Sequence, residues 1–253
     1  MLALQNVSKA YGTSKLLSNV SVQINPKDIL CIVGSSGSGK TTILKLLLGL
    51  EIPTSGIVSI DGIDLRIVPG PVVQLYRRRI GVIFQEPILL THATAAENIA
   101  LPLELVGAPK TIIQKSVNDL LSRFHITEKA HLFPDELSLS ERSLVAIARA
   151  IITAPMVMLA DEPFANLDPD QQKVVGSLLL ALHKQGTTLV IFSRTTETAR
   201  ALGARTILLE NGTLTSTTEQ KRTPDGPAHR ILESQGSGRK IHITSIGALP
   251  SAS

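Results

Sequence analysis

The chain has 253 residues, of which 43% are hydrophobic and 18% charged, with a formal net charge of +4 and a single Cys. That length can bury a large core, and the charged fraction is too low for a solvated disordered chain. One Cys excludes an internal disulfide and a zinc ribbon and points to a reducing compartment. The basic balance is spread thinly, with a net +2 in residues 217–253 and +2 in the rest, while aromatics make up 3% and Trp is absent. Stacking platforms for bases are therefore scarce, and no nucleic-acid partner is expected. Arg77-Arg78-Arg79 is the one dense basic run; it reads as a solvated face or, less readily, as a partner contact.

Met1 to Gln5 lacks the basic start and long apolar run of a signal peptide. No stretch reaches the ~20 apolar residues of a membrane span, so any membrane role is expected to come through a partner. Leu2 to Val7, Val20 to Ile24 and Ile29 to Val33 read as strands, with a turn at Asn25-Pro26-Lys27-Asp28. Ile29 to Val33 is continuously apolar and suits a strand buried on both faces, which makes Cys31 a core residue. A Gly-rich loop follows, then helical spacing over Thr42 to Leu50.

From about 86 to 155 the pattern is helical, with helices predicted over Ala95 to Leu105, Thr111 to Phe124 and Glu141 to Ile152. Met156 to Ala160 and Thr188 to Phe192 are again buried strands, separated by a helix over Gln171 to Lys184. This alternation predicts an α/β fold with a parallel sheet. Thr206 to Glu210, Asn211-Gly212 and Thr213 to Thr215 read as a terminal hairpin. Beyond about Ser216 the composition turns to Thr, Ser, Gly, Pro and charge. Residues 1–216 are therefore expected to form the folded domain and 217–253 a flexible tail; Ile241-His242-Ile243 alternates weakly, with docking of that segment the alternative.

Gly34-Ser35-Ser36-Gly37-Ser38-Gly39-Lys40-Thr41-Thr42 fits the phosphate-loop pattern. Glycines let phosphates approach the main chain, whose N–H groups and following helix N-terminus point at the anion. Lys40 would add a cation for the β- and γ-phosphates, and the Thr41 hydroxyl would ligate Mg²⁺. Farther on, an apolar strand ends in Asp161-Glu162. Asp161 would hold Mg²⁺ through water, and Glu162 would polarise an attacking water. The six histidines show no metal-ligand spacing, and no nucleophile triad stands out.

Gly34 to Thr42, Gln85 after Val82-Ile-Phe, Leu137-Ser138, Val145 to Ala150, Leu159-Ala-Asp161-Glu162-Pro163 and Asn166-Leu167-Asp168 together resemble an ABC-type ATPase, in that family's order and approximate spacing. The resemblance spans about residues 1–215. Leu75 to Gln85, Glu97 to Leu103 and Leu159 to Pro163 are most similar to the subgroup of cell-division, lipoprotein-exporter and macrolide-exporter ATPases. The resemblance implies a P-loop NTPase core with an N-terminal antiparallel β subdomain and a helical insert, with MgATP as ligand. It implies a homo- or heterodimer of ATP-binding subunits, peripheral on the cytoplasmic face of the membrane and coupled to a permease-like subunit. It also implies that Tyr11 stacks on adenine, that Gln85 touches the Mg²⁺ and water shell, and that Asp168 lies at the dimer seam, where a helix N-cap role is compatible.

Two departures from the family stand out. Its signature Leu-Ser-Gly-Gly-Gln/Glu here reads Leu137-Ser138-Leu139-Ser140-Glu141, which puts a branched side chain where a phosphate of the opposite subunit should approach. Its switch His after the late strand is here Ser193-Arg194. Arg cannot accept a hydrogen bond and keeps its charge. Arg194 could pair with the γ-phosphate, bind without supporting turnover, or point away. Slow hydrolysis by an ATP-driven subunit is the first expectation. A non-catalytic ATP-gated assembly module, or the degenerate half of a heterodimeric ATPase, is the alternative.

Overall fold

The computed structural model describes residues 1–216, so the tail and its Ile241-His242-Ile243 segment lie outside the described residues. Two sheets organise the chain. Strands β1 (Leu2–Tyr11), β2 (Ser14–Ile24), β4 (Ser55–Ile60) and β5 (Ile63–Asp64) form an antiparallel sheet in the order β2-β1-β4-β5. The second sheet has the order β10-β9-β3-β8-β7-β6, from β3 (Ile29–Val33), β6 (Ile80–Ile83), β7 (Val157–Asp161), β8 (Thr188–Ser193), β9 (Arg205–Glu210) and β10 (Thr213–Ser216). Its pairs are parallel apart from the β9–β10 hairpin. This is the α/β architecture with a parallel-rich core that the sequence predicts.

The apolar runs of the central strands serve both faces. Leu30, Ile32, Leu159, Val190 and Phe192 point into one buried cluster, shared with the antiparallel sheet and with helix α1 (Lys40–Leu47). Cys31, Val33, Met158, Ala160, Leu189 and Ile191 point into the other. There they meet α3 (Ala95–Leu105), α4 (Lys110–Arg123), α5 (Leu139–Ile151), α6 (Pro169–Lys184) and α7 (Thr196–Leu202). Cys31 is fully buried, and burial pushes its thiol up to about 12, so it is core rather than a reactive thiol.

Helix α2 (Gly70–Arg77) carries a correction to the reading of the basic run. Arg77 is not merely a solvated charge. Its Nε donates to Leu48 O at 2.9 Å and an Nη to Gly49 O at 2.8 Å, while the Tyr76 hydroxyl donates to Leu47 O at 3.0 Å. These contacts satisfy carbonyls left open at the C-terminal end of α1, the helix that begins at the phosphate loop. Arg78 and Arg79 are exposed.

α3, α4 and α5 follow one another between β6 and β7. The loop after β6 is fastened to them by the fully buried Asn98. Its Oδ1 accepts from Leu90 N at 2.8 Å, and its Nδ2 donates to the carbonyls of Leu90, Ala93 and Thr94. Arg149 of α5 donates to the same Oδ1 and to Ile88 O. Among the described residues, no helix is long and apolar enough to cross a membrane.

Candidate functional site

The C-terminal ends of β3, β7 and β8 meet at one edge of the parallel sheet, where ligands of open α/β sheets bind. Backbone hydrogen bonds stitch these ends together: Gly34 N donates to Ser193 O at 3.0 Å, and Glu162 N to Phe192 O at 2.9 Å. A cavity of about 160 Å³ opens there. The loop and α1 line it with Ser36, Gly37, Gly39, Lys40, Thr41 and Thr42. Across from them stand Gln85, Asp161, Glu162 and Arg194, and β2 adds Leu16.

The loop's glycines answer to geometry. A Cβ on Gly34 would come within 2.7 Å of Leu209 O and 2.6 Å of Ser38 Oγ, so the neighbouring hairpin leaves no room for one. Gly39 caps α1 at φ 106°, a conformation that side chains disfavour. Lys40 is buried and folded across the loop, its Nζ donating to Gly34 O at 2.7 Å and Ser35 O at 2.9 Å. Burial lowers its pKa, against the pull of Glu162 and Asp161. The Ser38 hydroxyl is buried without a hydrogen-bond partner among the described residues.

Asp161 is 1% exposed, and burial raises its carboxyl, opposed by Thr41, Lys40 and Arg194. Thr41 Oγ1 donates to Asp161 Oδ2 at 2.5 Å, while Oδ1 is buried and unpartnered among the described residues. An orphaned carboxylate oxygen is costly unless something charged completes it. A hard cation held by oxygen donors fits, and Thr41, Asp161 and the Gln85 amide supply such donors. Glu162 follows at φ 50°, an uncommon backbone for a non-glycine residue and one that recurs at functional sites. Burial raises its carboxyl too, and Arg194 is the first of the groups that pull it back. Arg194 does not point away: its Nε lies 3.3 Å from Glu162 Oε1.

The structure keeps the other predicted residues out of this cavity. Tyr11 sits at the turn end of β1, 47% exposed, with Lys9 Nζ 4.9 Å from its ring centre. Leu16, which does line the cavity, carried no motif; its one signal is that Leu16-Leu17 breaks the strand's alternation. Asp168 caps α6, its Oδ1 accepting from Asp170 N and Gln171 N. Asn166 Nδ2 donates to Ser143 Oγ at 3.2 Å, which connects the loop after Glu162 to α5.

The signature segment opens α5, two residues earlier than its predicted start. Ser138 Oγ accepts from Glu141 N at 3.2 Å, and the Glu141 carboxylate accepts from Ser138 N at 2.8 Å. This reciprocal cap already places a carboxylate at the helix N-terminus. Leu139 stands 47% exposed beside it. Ser140 Oγ donates to Gln171 Oε1 at 2.7 Å, so the second glycine's replacement ties α5 to α6.

The Glu141 cap has a measurable consequence. The Ser138 amide holds its carboxyl below the ordinary value. A carboxyl lowered by folding adds stability that is present above the unfolded value, about 4.3, and fades as pH falls through the folded one. Glu141→Ala is expected to cost about 1 kcal/mol near neutral pH. In thermal melts that deficit should shrink as the pH falls below about 4; a pH-independent deficit would contradict the cap.

The fold and cavity define a P-loop nucleotide-binding protein. The comparisons with known proteins narrow this. The ABC transporter family model matches residues 17–165. The chain is 38% identical over 84% of its length to the cell division ATP-binding protein FtsE of Bacillus subtilis, covering 93% of that protein. It is 36% identical over 85% of its length to FtsE of Mycobacterium tuberculosis, covering 94%, and 34% identical over 92% to the glutamine transport ATP-binding protein GlnQ of Escherichia coli, covering 98%. Among solved structures, the ATP-binding cassette MJ0796, dimeric and bound to ADP and Pi, superposes with a TM-score of 0.79 at 32% identity, covering 85% of this chain and 98% of that one. The chain belongs to the ABC transporter family as an ATP-binding subunit of the FtsE-like kind.

Proposed function

We propose that this chain binds MgATP and hydrolyses it slowly, as the peripheral subunit of an FtsE-like membrane complex on the cytoplasmic face. In this reading, residues 1–216 form the ATP-binding domain and α3 to α5 its helical insert. MgATP would close a dimer of such subunits, and closure would act on a permease-like partner. Coupling is then a population shift, because only the closed state places ATP between two subunits.

One observation carries the reading: a phosphate loop, an orphaned Asp161 oxygen, Gln85 and Glu162 converge on one cavity. The loop amides and Lys40 would bind phosphates, with Lys40 exchanging its two carbonyl partners for phosphate oxygens. Thr41, Asp161 and Gln85 would hold Mg²⁺, which when bound supplies charge neutralisation to the phosphates. Glu162 would orient and polarise the water, helped by the burial that raises its carboxyl. Tyr11 would stack on adenine beside Leu16. The residues Ser138 to Glu141 and Asp168, away from this chain's own cavity, would face the partner subunit.

Two observations favour slow turnover, and with it the alternative of an ATP-gated assembly module. Arg194 occupies Glu162, and Leu139 stands exposed at the N-terminus of α5 in place of the first signature glycine. A heterodimer whose other subunit has an intact signature would leave one good composite site.

The test pairs equilibrium MgATP binding with steady-state hydrolysis, and asks which membrane protein co-purifies with the tagged chain from solubilised membranes. Mg-dependent binding, slow turnover and one stoichiometric membrane partner are expected. Absence of Mg-dependent ATP binding would overturn the reading outright. Binding without turnover would select the assembly module, and recovery without a membrane protein would remove the permease coupling.

A further inference from the structure

Tyr11 lies outside the cavity, yet its ring is held. Lys9, two residues earlier on β1, places its Nζ 4.9 Å from the ring centre. The same Nζ donates to Ile52 O at 2.8 Å and lies 2.7 Å from Glu51 Oε2. Glu51 and Ile52 belong to the segment after α1, and Glu51 N donates to Lys45 O of that helix at 3.3 Å. The Lys9 ammonium and, more weakly, the Tyr11 hydroxyl hold the Glu51 carboxyl below its ordinary value. The Lys9 side chain is only 12% exposed, whereas Tyr11 as a whole is 47% exposed. The cation is thus engaged inside the protein, by a carboxylate, a carbonyl and a ring, while the ring keeps open surface.

The hairpin that carries Tyr11 also packs on the phosphate loop. Lys9 pairs with Leu17 and Tyr11 with Ser14 across β1 and β2. A Cβ on Gly39, the loop's last glycine, would meet Leu17 Cδ2 at 2.7 Å and Leu16 Cγ at 3.4 Å. Lys9 therefore joins the strand that bears the ring to the segment at the far end of α1, the helix that begins at the loop. A flat base stacks best on a ring whose orientation is already fixed, since ordering that ring on binding costs entropy. A cation over one ring face is attracted by the π-system, more strongly when desolvated. We infer that Lys9, anchored by Glu51 and the Ile52 carbonyl, is a positioning residue for the base: it holds Tyr11 by one face and leaves the other to the purine of the nucleotide. The inference rests on the ATP-binding reading above. It adds the group that sets how tightly the base, as distinct from the phosphates, is held.

The experiment is displacement of a fluorescent nucleotide from the full-length chain by MgATP and by magnesium tripolyphosphate, which has three phosphates and no base. Wild type is expected to prefer MgATP. Lys9→Met keeps an aliphatic stem without the charge. It should lose about threefold to tenfold in MgATP affinity, the range of a partly desolvated cation–π contact, and bind tripolyphosphate as wild type does. That retained binding shows that the variant is folded, and a general loosening of the hairpin would weaken both ligands. Lys9→Arg, which restores a cation over the ring, should recover part of the loss. In a Tyr11→Ala background, Lys9→Met should change MgATP affinity by no more than about twofold, because the ring is gone. Unchanged MgATP affinity in Lys9→Met, an equal loss of both ligands, or a full Lys9→Met effect without Tyr11 overturns the inference while leaving ATP binding intact. Wild type that binds MgATP no better than tripolyphosphate overturns it as well. Wild type that binds neither overturns the ATP-binding reading itself.

Discussion

Phe192→Ala is expected to cost about 3–5 kcal/mol of stability, the usual penalty for emptying a buried aromatic site. Phe192 is fully buried on β8, the strand between β3 and β7. It shares a cluster with Leu30, Ile32 and Leu159 of the sheet and with Leu44 of α1, the helix that begins at the phosphate loop. At about 2–4 °C per kcal/mol for a chain of this size, the thermal midpoint should fall by roughly 6–20 °C. The loss should not stay in the core. The carbonyl of Phe192 anchors Glu162 N, and the next carbonyl anchors Gly34 N. A cavity at Phe192 lets both anchors shift, so MgATP binding should weaken well below the melting range. Phe192→Leu, which keeps much of the volume, should cost about 1.5 kcal/mol or less and retain binding. Calorimetry and nucleotide titration on both variants check this. If Phe192→Ala melts like wild type, the cluster does not support the loop as described.

How much of this was legible in the sequence varies with the range of the forces involved. β3 and α3 match their predicted bounds because a buried apolar run and a Thr94–Glu97 capping box are local signals. α2 carried no such signal: it opens on Gly70-Pro71, which reads as a turn although Pro is at home in a first helical turn. β4 was hidden by Gly56 at φ 84°, where the register with β1 slips. At seven residues, α7 is too short to display an apolar period. The phosphate loop, Asp161 and Glu162 were legible because their chemistry is written in adjacent residues. The Arg194–Glu162 contact spans 32 positions and exists because the β7–β8 register sets Asp161 opposite Phe192. Leu139 and Ser140 were legible as departures from a pattern. What Ser140 does instead, its hydroxyl donating to Gln171, needed the packing of α5 against α6.

Glu162→Gln is expected to lower steady-state ATP turnover by about a hundredfold or more, within the span of positioned general-base catalysis, while MgATP affinity rises. Both effects have the same origin. Glu162 stands over the cavity at a fixed, left-handed backbone position, with its carboxyl raised by burial and held by Arg194. The amide keeps the shape and can still accept from Arg194 Nε, so the structure should survive unchanged. It cannot take a proton from water, so the chemical step loses its base. It also removes a negative charge facing the phosphates, and a buried like-charge contact of this kind opposes binding. The lining then carries two cations against Asp161 alone. Single-turnover hydrolysis and MgATP titration on the purified variant separate the two consequences. Turnover insensitive to the substitution would mean that another group activates the water, and would leave Glu162 as a partner of Arg194 only. A fall in MgATP affinity would mean that the carboxylate's charge supports nucleotide binding in the ground state rather than opposing it.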